Sequence, residues 1–552
     1  MSALSSALFS SPNGSPSLIY KFGTSGYRND SEAGFNESVI RQITGAIADY
    51  FISQLQHLGL SDCAATFLVG GDTRQKTKEF APLVAQLLMD RGFDVALAEG
   101  DIPTPVLAYA AAHLQRLGFL NAHGLGAVLM TASHNPWPYG GYNFLTNQGA
   151  VAPSDMTKEF EALQASPKNL RLNRVGHLTS LEPYMAYRRH LIERVMIDFP
   201  AISAAHLQIF YSPLYATGRK YLPRLLSDEG IELTMIQGED TPPEAYTGMP
   251  NPVAAELLPL IEAVRSASPS AGISLGLAND GDADRFGVVD EAARMIDANE
   301  ILALVLWHQL TNRIQQRPLH GCVVRSQATS HKLDALAKQA GLEVIQTPVG
   351  YKYIAECFIE HEAQGGPPIL LGGESSGGLS IDGHIPEKDG LLANLLVLEA
   401  VAKSGLPLSR LLEKINASLP QRYAFNEAAI RTPDGQRILE AIRAAWPENK
   451  LFGKFVIDMA QSQEEAEKLQ NRFGTRDGVK LYFAPDNTSS ADGVNAASWI
   501  LVRASGTEPL LRVYTEGVAS SQPEAEAICH AQMDAAIAWL QANFNITSVG
   551  SH

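Results

Sequence analysis

Gly126-Ala127-Val128-Leu129-Met130-Thr131-Ala132-Ser133-His134-Asn135-Pro136 joins an apolar run to a polar loop that closes on a proline. The run reads as a buried strand. Upstream, Ala65–Val69 is a second strand-like run ending in Gly70-Gly71-Asp72, Lys78–Met89 reads as a helix, Phe93–Ala98 as a strand, and Pro103–Leu117 as a helix opened by Pro-Thr-Pro. Strands and helices alternating through short turns imply crossover connections and a mostly parallel sheet. In such units ligands gather at the carboxyl ends of strands, where residues 131–136 fall. Two readings of Ser133 stand on these residues alone. It could cap a helix, or it could carry a phosphoryl group, which requires a fixed position and cationic or metal help for the transferred charge.

The pattern continues beyond this first unit. A second unit begins near Leu207–Tyr211 and a third near Cys322–Val324, the third ending at the polar turn Ser418–Arg422. The last stretch has strand candidates at Phe452–Met459, Val479–Phe483, Trp499–Arg503 and Arg512–Glu516, with helices at Gln463–Arg472 and Gln522–Asn543, and reads as a smaller α+β domain. The expected division is 1–204, 205–315, 316–425 and 426–552. A length of 552 residues agrees with it, at about 150 residues per domain. The 45% apolar content is that of a folded chain. A formal charge of -16 argues against a nucleic-acid surface but leaves room for a cationic cleft that binds a small anion. Four cysteines without a CxxC pair read as reduced thiols. No Lys or Arg precedes Lys21, and no apolar run reaches the roughly 20 residues of a membrane span, so cytoplasm is the expected location, with no membrane association. No obligatory protein partner is evident.

Five further segments carry chemistry. Asp280-Gly281-Asp282-Ala283-Asp284-Arg285 lies between the strand-like runs Ile273–Leu277 and Phe286–Val289, and three carboxylates two residues apart can converge on a hard cation. An EF-hand is the rival, since Glu291 falls at its twelfth position, but Arg285 stands where that loop needs glycine and the flanks look like strands. An oxygen-only donor set favours magnesium over transition metals. Gly372-Gly373-Glu374-Ser375-Ser376-Gly377-Gly378 brackets a carboxylate and hydroxyls with glycines, an inventory suited to sugar hydroxyls; His384 and Lys388 follow closely. Arg503-Ala504-Ser505-Gly506-Thr507-Glu508-Pro509, with Arg512, suits a phosphate cradle. Lys21 to Arg28 and Thr347-Pro348-Val349-Gly350-Tyr351-Lys352 each couple a turn to a cation.

Together these segments resemble the α-D-phosphohexomutase superfamily, which includes phosphoglucomutases and phosphomannomutases. The resemblance implies three similar α/β domains with mixed, mostly parallel sheets and a smaller C-terminal α+β domain around a central cleft. It implies that Ser133 is the phosphorylated residue, flanked by His134 and helped by Arg285. It implies magnesium on Asp280, Asp282, Asp284 and the Ser133 phosphate. Substrate contacts would come from Lys21, Arg28, Thr347, Gly350, Lys352, Glu374, Ser376, His384 and Lys388, with the distal phosphate on Arg503, Ser505, Gly506, Thr507 and Arg512. The implied reaction interconverts hexose 1- and 6-phosphates through a bound 1,6-bisphosphate, glucose phosphates being preferred; the small-molecule partners are sugar phosphates. Two positions depart from the family. Asn143 stands where a lysine is usual, and an amide cannot act as a base. Ser375 replaces a frequent second glutamate.

Overall fold

The computed structural model describes residues 19–551, apart from 24–25, 31–33, 62, 120–122, 240, 244–245, 269, 271, 314–319, 446–450, 453, 485–496, 505–508 and 545–548. The first sheet is six-stranded, in the order Tyr27–Asp30, Tyr139–Thr146, His123–Met130, Ala65–Gly71, Asp94–Ala98, Leu178–Leu181. The last four of these run parallel, while Tyr139–Thr146 lies antiparallel to both of its neighbours. Gly141 makes that antiparallel strand possible, because a Cβ there would lie 2.0 Å from the Thr131 carbonyl oxygen. The strand was not anticipated from the sequence. The expected helix Pro103–Leu117 is a helix at Thr104–Ala112 and a separate 3₁₀ turn at Leu114–Leu117.

The second sheet is five-stranded around Gln208–Ser212 and Ser274–Asn279, and the third is four-stranded around Cys322–Ser326 and Ile369–Glu374. Helix Ala298–Asn312 packs on Ile369–Glu374 and on helices Lys332–Gln339 and Gly390–Ser404. It therefore belongs to the third domain, which moves the expected division at 315/316 back to the loop before Ala298. Strand Arg422–Arg431 pairs along its whole length with Leu510–Ala519, so the fourth domain starts ahead of Arg422 and not at 426. Among the described residues this domain is built on a seven-stranded sheet whose named pairings are antiparallel, with three helices, Gly435–Ala445, Met459–Phe473 and Gln522–Phe544. The first of these helices was not expected. The run 452–459 is a short hairpin, Leu451–Phe452 with Phe455–Asp458, and Met459 opens a helix instead of ending a strand.

One apolar core runs through the first three domains, joining Tyr109 and Tyr187 to Leu222, Leu277 and Phe286 and on to Leu302, Leu392 and Leu396. Each fully buried side chain of this size contributes about 2 kcal/mol, so the three sheets are held as one block. Helix Gly390–Ser404 lies inside it, buried at every residue from Gly390 to Val401. Its start is fixed by Asp389, whose carboxylate accepts the Leu392 N–H at 2.9 Å. The fourth domain has a core of its own, with Ile430, Leu481, Val502, Leu511 and Met533 among its members. Among the described residues no single helix is long and apolar enough to cross a membrane.

Candidate active site

No helix follows the strand His123–Met130; the chain turns at residues 133–135 and enters the next strand at Tyr139. That removes the capping reading of Ser133. Ser133 adopts φ 49°, a left-handed conformation that costs a non-glycine residue about 1 kcal/mol or more. Its neighbours impose it. The Ser133 N–H donates to Thr131 Oγ1 at 2.9 Å, and the Arg74 guanidinium donates to the carbonyls of Ser133 (2.7 Å), Asn135 (2.6 Å) and Pro136 (2.6 Å). Arg74 is itself buried and held by Asp72 at 3.1 Å. Asp72 and Arg74 lie at the end of the neighbouring strand Ala65–Gly71, so two parallel strand ends build the loop together.

The Asp280–Arg285 loop connects two antiparallel strands, Ser274–Asn279 and Phe286–Val289, and an EF-hand would need helices there. One carboxylate oxygen from each of Asp280, Asp282 and Asp284 lies within 4.8 Å of the others, and all three residues are buried. Gly281 brings this loop against the first domain: a Cβ on it would meet the Ser133 carbonyl oxygen at 2.3 Å. The Ser133 hydroxyl donates to Asp280 Oδ2 at 2.8 Å. Asp282 Oδ2 accepts from Thr104 Oγ1 at 2.7 Å and Thr131 Oγ1 at 3.3 Å. Asp282 Oδ1 and Asp284 Oδ1 are buried without a hydrogen-bond partner. Burial pushes Asp280 and Asp282 above the usual carboxylate range, and repulsion among the three aspartates adds to it. Orphaned, mutually repelling carboxylate oxygens fit a divalent oxygen-seeking cation, and the cluster that the described residues form offers oxygen donors.

Cations surround the triad. Lys388 Nζ lies 2.5 Å from Asp284 Oδ2, and Arg285, whose backbone N–H donates to Asp280 Oδ1 at 3.0 Å, sets its guanidinium 3.9 Å from Asp284 Oδ1. Arg28 donates to Asn135 Oδ1 at 2.9 Å, within the field of the aspartates. His134 places Nδ1 3.3 Å from Ser133 Oγ. Burial, reinforced by Arg285, Arg28, Lys388 and Arg512, holds its imidazole well below the ordinary histidine range.

The third domain closes on the same point. The Phe286 N–H donates to the Gly377 carbonyl at 3.0 Å, and Gly390 N–H to the Ala283 carbonyl at 3.1 Å, clamping the sugar loop and the Lys388 segment onto the metal loop. Glu374 is buried and accepts the Gly350 N–H at 2.8 Å; burial raises its pKa against the pull of Lys388. Ser376 is exposed beside it. Thr347 is buried and bonds the Pro348 carbonyl at 2.9 Å, whereas Lys352 reaches Ser154 of the first domain at 2.7 Å. Asp477 of the fourth domain accepts the Val349 N–H at 2.8 Å and lies 3.4 Å from Arg503. Arg503 and Arg512 are directly opposite on paired strands, and Arg512 lies 2.5 Å from Glu427. The two arginines thus share one face of the sheet, each beside a carboxylate, and their planar donor forks suit an anion such as phosphate. Ser505, Gly506 and Thr507 lie outside the described residues.

Two expected ligands are not brought into the site. Lys21 is exposed on a segment tied to helix Ser154–Ala165 by Tyr20 and Phe22, and among the described residues no contact joins it to the triad. The His384 side chain is fully buried, facing Asp389 at 2.8 Å and His190 at 3.1 Å. Both ring nitrogens are engaged inside the protein, so it is corrected from substrate ligand to structural residue. Asn143 is buried on Tyr139–Thr146 with its amide oxygen unpartnered. Arg74, Asp72 and Thr104 were not singled out from the sequence. The rule that located Ser133, polar residues just after a strand, also applies to Asp72-Thr73-Arg74.

A strained serine hydroxyl against a buried acidic triad, with opposed arginines beyond a sugar-type loop, defines a phosphoryl-transfer enzyme built on four domains. Residues 20–170, 185–293 and 297–418 match the α/β/α domains I, II and III of phosphoglucomutase/phosphomannomutase, and residues 459–535 match its C-terminal domain. The chain belongs to this family, within the α-D-phosphohexomutase superfamily, and is a phosphoglucomutase-like mutase enzyme. It is 29% identical over 499 residues to a "Phosphoglucomutase/phosphomannomutase" of Thermococcus kodakarensis, covering 90% of this chain and 94% of that one. It is 28% identical to a "Probable phosphoglucosamine mutase" of Methanothermobacter thermautotrophicus, covering 90% and 93%. The solved open form of pp63/parafusin, a phosphoglucomutase from Paramecium, shares the fold, with a TM-score of 0.75, 19% identity, and coverage of 97% and 98%.

Proposed function

We propose that the enzyme interconverts the 1- and 6-phosphates of a hexose, α-D-glucose phosphates foremost, through phospho-Ser133 and a bound 1,6-bisphosphate. The contact of Ser133 Oγ with Asp280 Oδ2, at the rim of the buried triad, carries this reading. Asp280, Asp282, Asp284 and an oxygen of the phosphoserine would hold magnesium. When bound, magnesium neutralises charge on the transferring phosphoryl group and does no redox chemistry. Arg74 and Thr131 hold Ser133 in place, Arg285 and Arg28 stand where negative charge develops, and Lys388 stays beside Asp284. The phosphoryl group leaves Ser133 Oγ for the free hydroxyl of the hexose monophosphate; that hydroxyl gives up its proton and Ser133 Oγ regains one. His134, with Nδ1 3.3 Å from the serine oxygen, is the side chain that supports proton handling there. The bisphosphate then reverses, and its other phosphate returns to Ser133. Arg503 and Arg512 grip the phosphate that is not reacting, which orients the sugar.

The relatives' names divide between glucose, mannose and glucosamine phosphates, so the sugar is tested directly. Purified enzyme with magnesium and a trace of the matching 1,6-bisphosphate is given glucose, mannose or glucosamine 1-phosphate, and 6-phosphate formation is followed. Fastest turnover of glucose 1-phosphate supports the proposal; a tenfold preference for either other sugar overturns the sugar assignment. Asn143, whose amide oxygen is unpartnered, favours a second reading: release of the 1,6-bisphosphate before its other phosphate returns, which leaves Ser133 without its phosphoryl group until an external phosphoryl donor resupplies it. Stoichiometric accumulation of bisphosphate, suppressed in Asn143→Lys, would select it.

A further inference from the structure

Lys388 and Asp389 are adjacent but serve different surroundings. Lys388 reaches Asp284, its stem lying against Gly378, where a Cβ would come within 2.4 Å of Lys388 Cδ. The Asp389 carboxylate instead reaches a buried chain that crosses into helix Tyr184–Glu193. Tyr187 Oη donates to Asp389 Oδ2 at 2.6 Å, His384 Nε2 lies 2.8 Å from the same oxygen, and His190 Nε2 lies 3.1 Å from His384 Nδ1. The side chains of Tyr187, His384 and Asp389 are fully buried and His190 nearly so.

The donor pattern has one consistent solution with both rings neutral. A carboxylate oxygen can only accept, so His384 carries its proton on Nε2 and its Nδ1 is a lone pair. His190 must then donate from Nε2, leaving a bare acceptor at Nδ1, and His190 Nδ1 is indeed without a partner. Burial, with the nearby His384 and His113, holds His190 neutral, its pKa lowered to about 2. A lone pair left unpaired is the smaller penalty; a buried unpaired N–H would cost more.

We propose that Tyr187, His190 and His384 are positioning residues that act through Asp389 to set the Lys388 ammonium against Asp284. The inference rests on the function proposed above. Asp389 is anchored by two donors on Oδ2, by the Leu392 N–H on Oδ1, and by its own N–H to the Leu379 carbonyl at 2.9 Å. With the Tyr187 hydroxyl or the His190 donor gone, the 384–390 segment loses the support of helix Tyr184–Glu193, and Lys388 gains freedom to leave Asp284. An ammonium at Asp284 competes with a metal cation, so its release strengthens metal binding while weakening turnover.

The test is a double-mutant cycle on the full chain, read by kcat and by Mn2+ binding in electron paramagnetic resonance. Tyr187→Phe is expected to lower kcat about tenfold, with KM little changed, and to tighten Mn2+ binding about threefold. In a Lys388→Met background the same substitution should change neither. Equal effects in both backgrounds, or none in either, overturn the inference. Should Tyr187→Phe fail to fold, His190 gives a second comparison: His190→Gln keeps a donor for His384 and should retain wild-type values, whereas His190→Leu should lower kcat like Tyr187→Phe. Equal behaviour of Gln and Leu overturns the inference. If the wild type turns over no hexose phosphate, the functional proposal fails, and the Mn2+ arm still decides whether these residues act through Lys388.

Discussion

Replacing Arg74 by methionine should cripple the enzyme, although Arg74 would not touch the substrate. Its side chain is 2% exposed, and that of its partner Asp72 is 1% exposed. Removing one member of a buried ion pair costs about 3–5 kcal/mol. The lower end applies, because Asp72 keeps the Thr131 hydroxyl at 2.8 Å and the Arg74 backbone N–H at 3.0 Å. The carbonyls of Ser133, Asn135 and Pro136 lose their donor, and the loop is free to relax from the left-handed Ser133 conformation. We expect about 3 kcal/mol less stability in the first unfolding transition and a fall in kcat of about 100-fold, the usual cost of misplacing a reacting group by about 1 Å. Arg74→Lys should fall between, since one ammonium cannot span acceptors that the planar fork reaches. Urea denaturation and steady-state rates at saturating magnesium measure both quantities. Arg74→Met with less than about 1 kcal/mol lost and kcat within threefold of wild type would refute the reasoning.

Asp282→Asn should act in opposite directions with and without metal. Removing one of three repelling buried carboxylates raises the melting temperature of the metal-free protein, while the magnesium concentration for half-maximal activity rises at least about tenfold; melts with and without magnesium check both. His190 gives a pH signature. Its folded pKa is about 2, against about 6.5 when unfolded, so the unfolded chain binds the extra proton below pH 6.5 and stability falls with pH from there. His190→Phe removes this dependence. Its stability relative to wild type should improve by about 1.4 kcal/mol for each pH unit below 6.5, measured by denaturation at pH 6.5, 5.5 and 4.5; a constant difference would show that His190 is protonated in the fold.

The segments at the ends of strands were legible because strand, turn and polar residues are consecutive. Ser133 and Asp280, Asp282 and Asp284 could be named from a dozen residues each, and Phe286–Val289 and Val479–Phe483 have the expected limits. Two kinds of information were hidden. Arg74 and Thr104 act across 59 and 178 residues, on Ser133 and Asp282, and nothing local to either announces such a partner. Side-chain direction was the other. His384 is four residues from Lys388 and was grouped with it, yet between Lys388 and Asp389 the chain turns its side chains from Asp284 to Tyr187, and His384 follows Asp389. The strand Tyr139–Thr146 went unread for a related reason: it is pressed against the Thr131 carbonyl, a closeness that only the fold reveals and that glycine permits.

Whether Ser133 carries the phosphoryl group is the claim on which the account turns, and mass spectrometry of the intact protein and its peptides tests it most directly. Wild-type enzyme incubated with glucose 1,6-bisphosphate and magnesium should gain the mass of a single phosphoryl group on the peptide containing Ser133, and an isotopically labelled phosphoryl group there should pass to the hexose phosphates when glucose 1-phosphate is added in excess. Ser133→Ala should gain none and should not turn over. A phosphoryl group found on another residue, or turnover surviving in Ser133→Ala, would contradict the account.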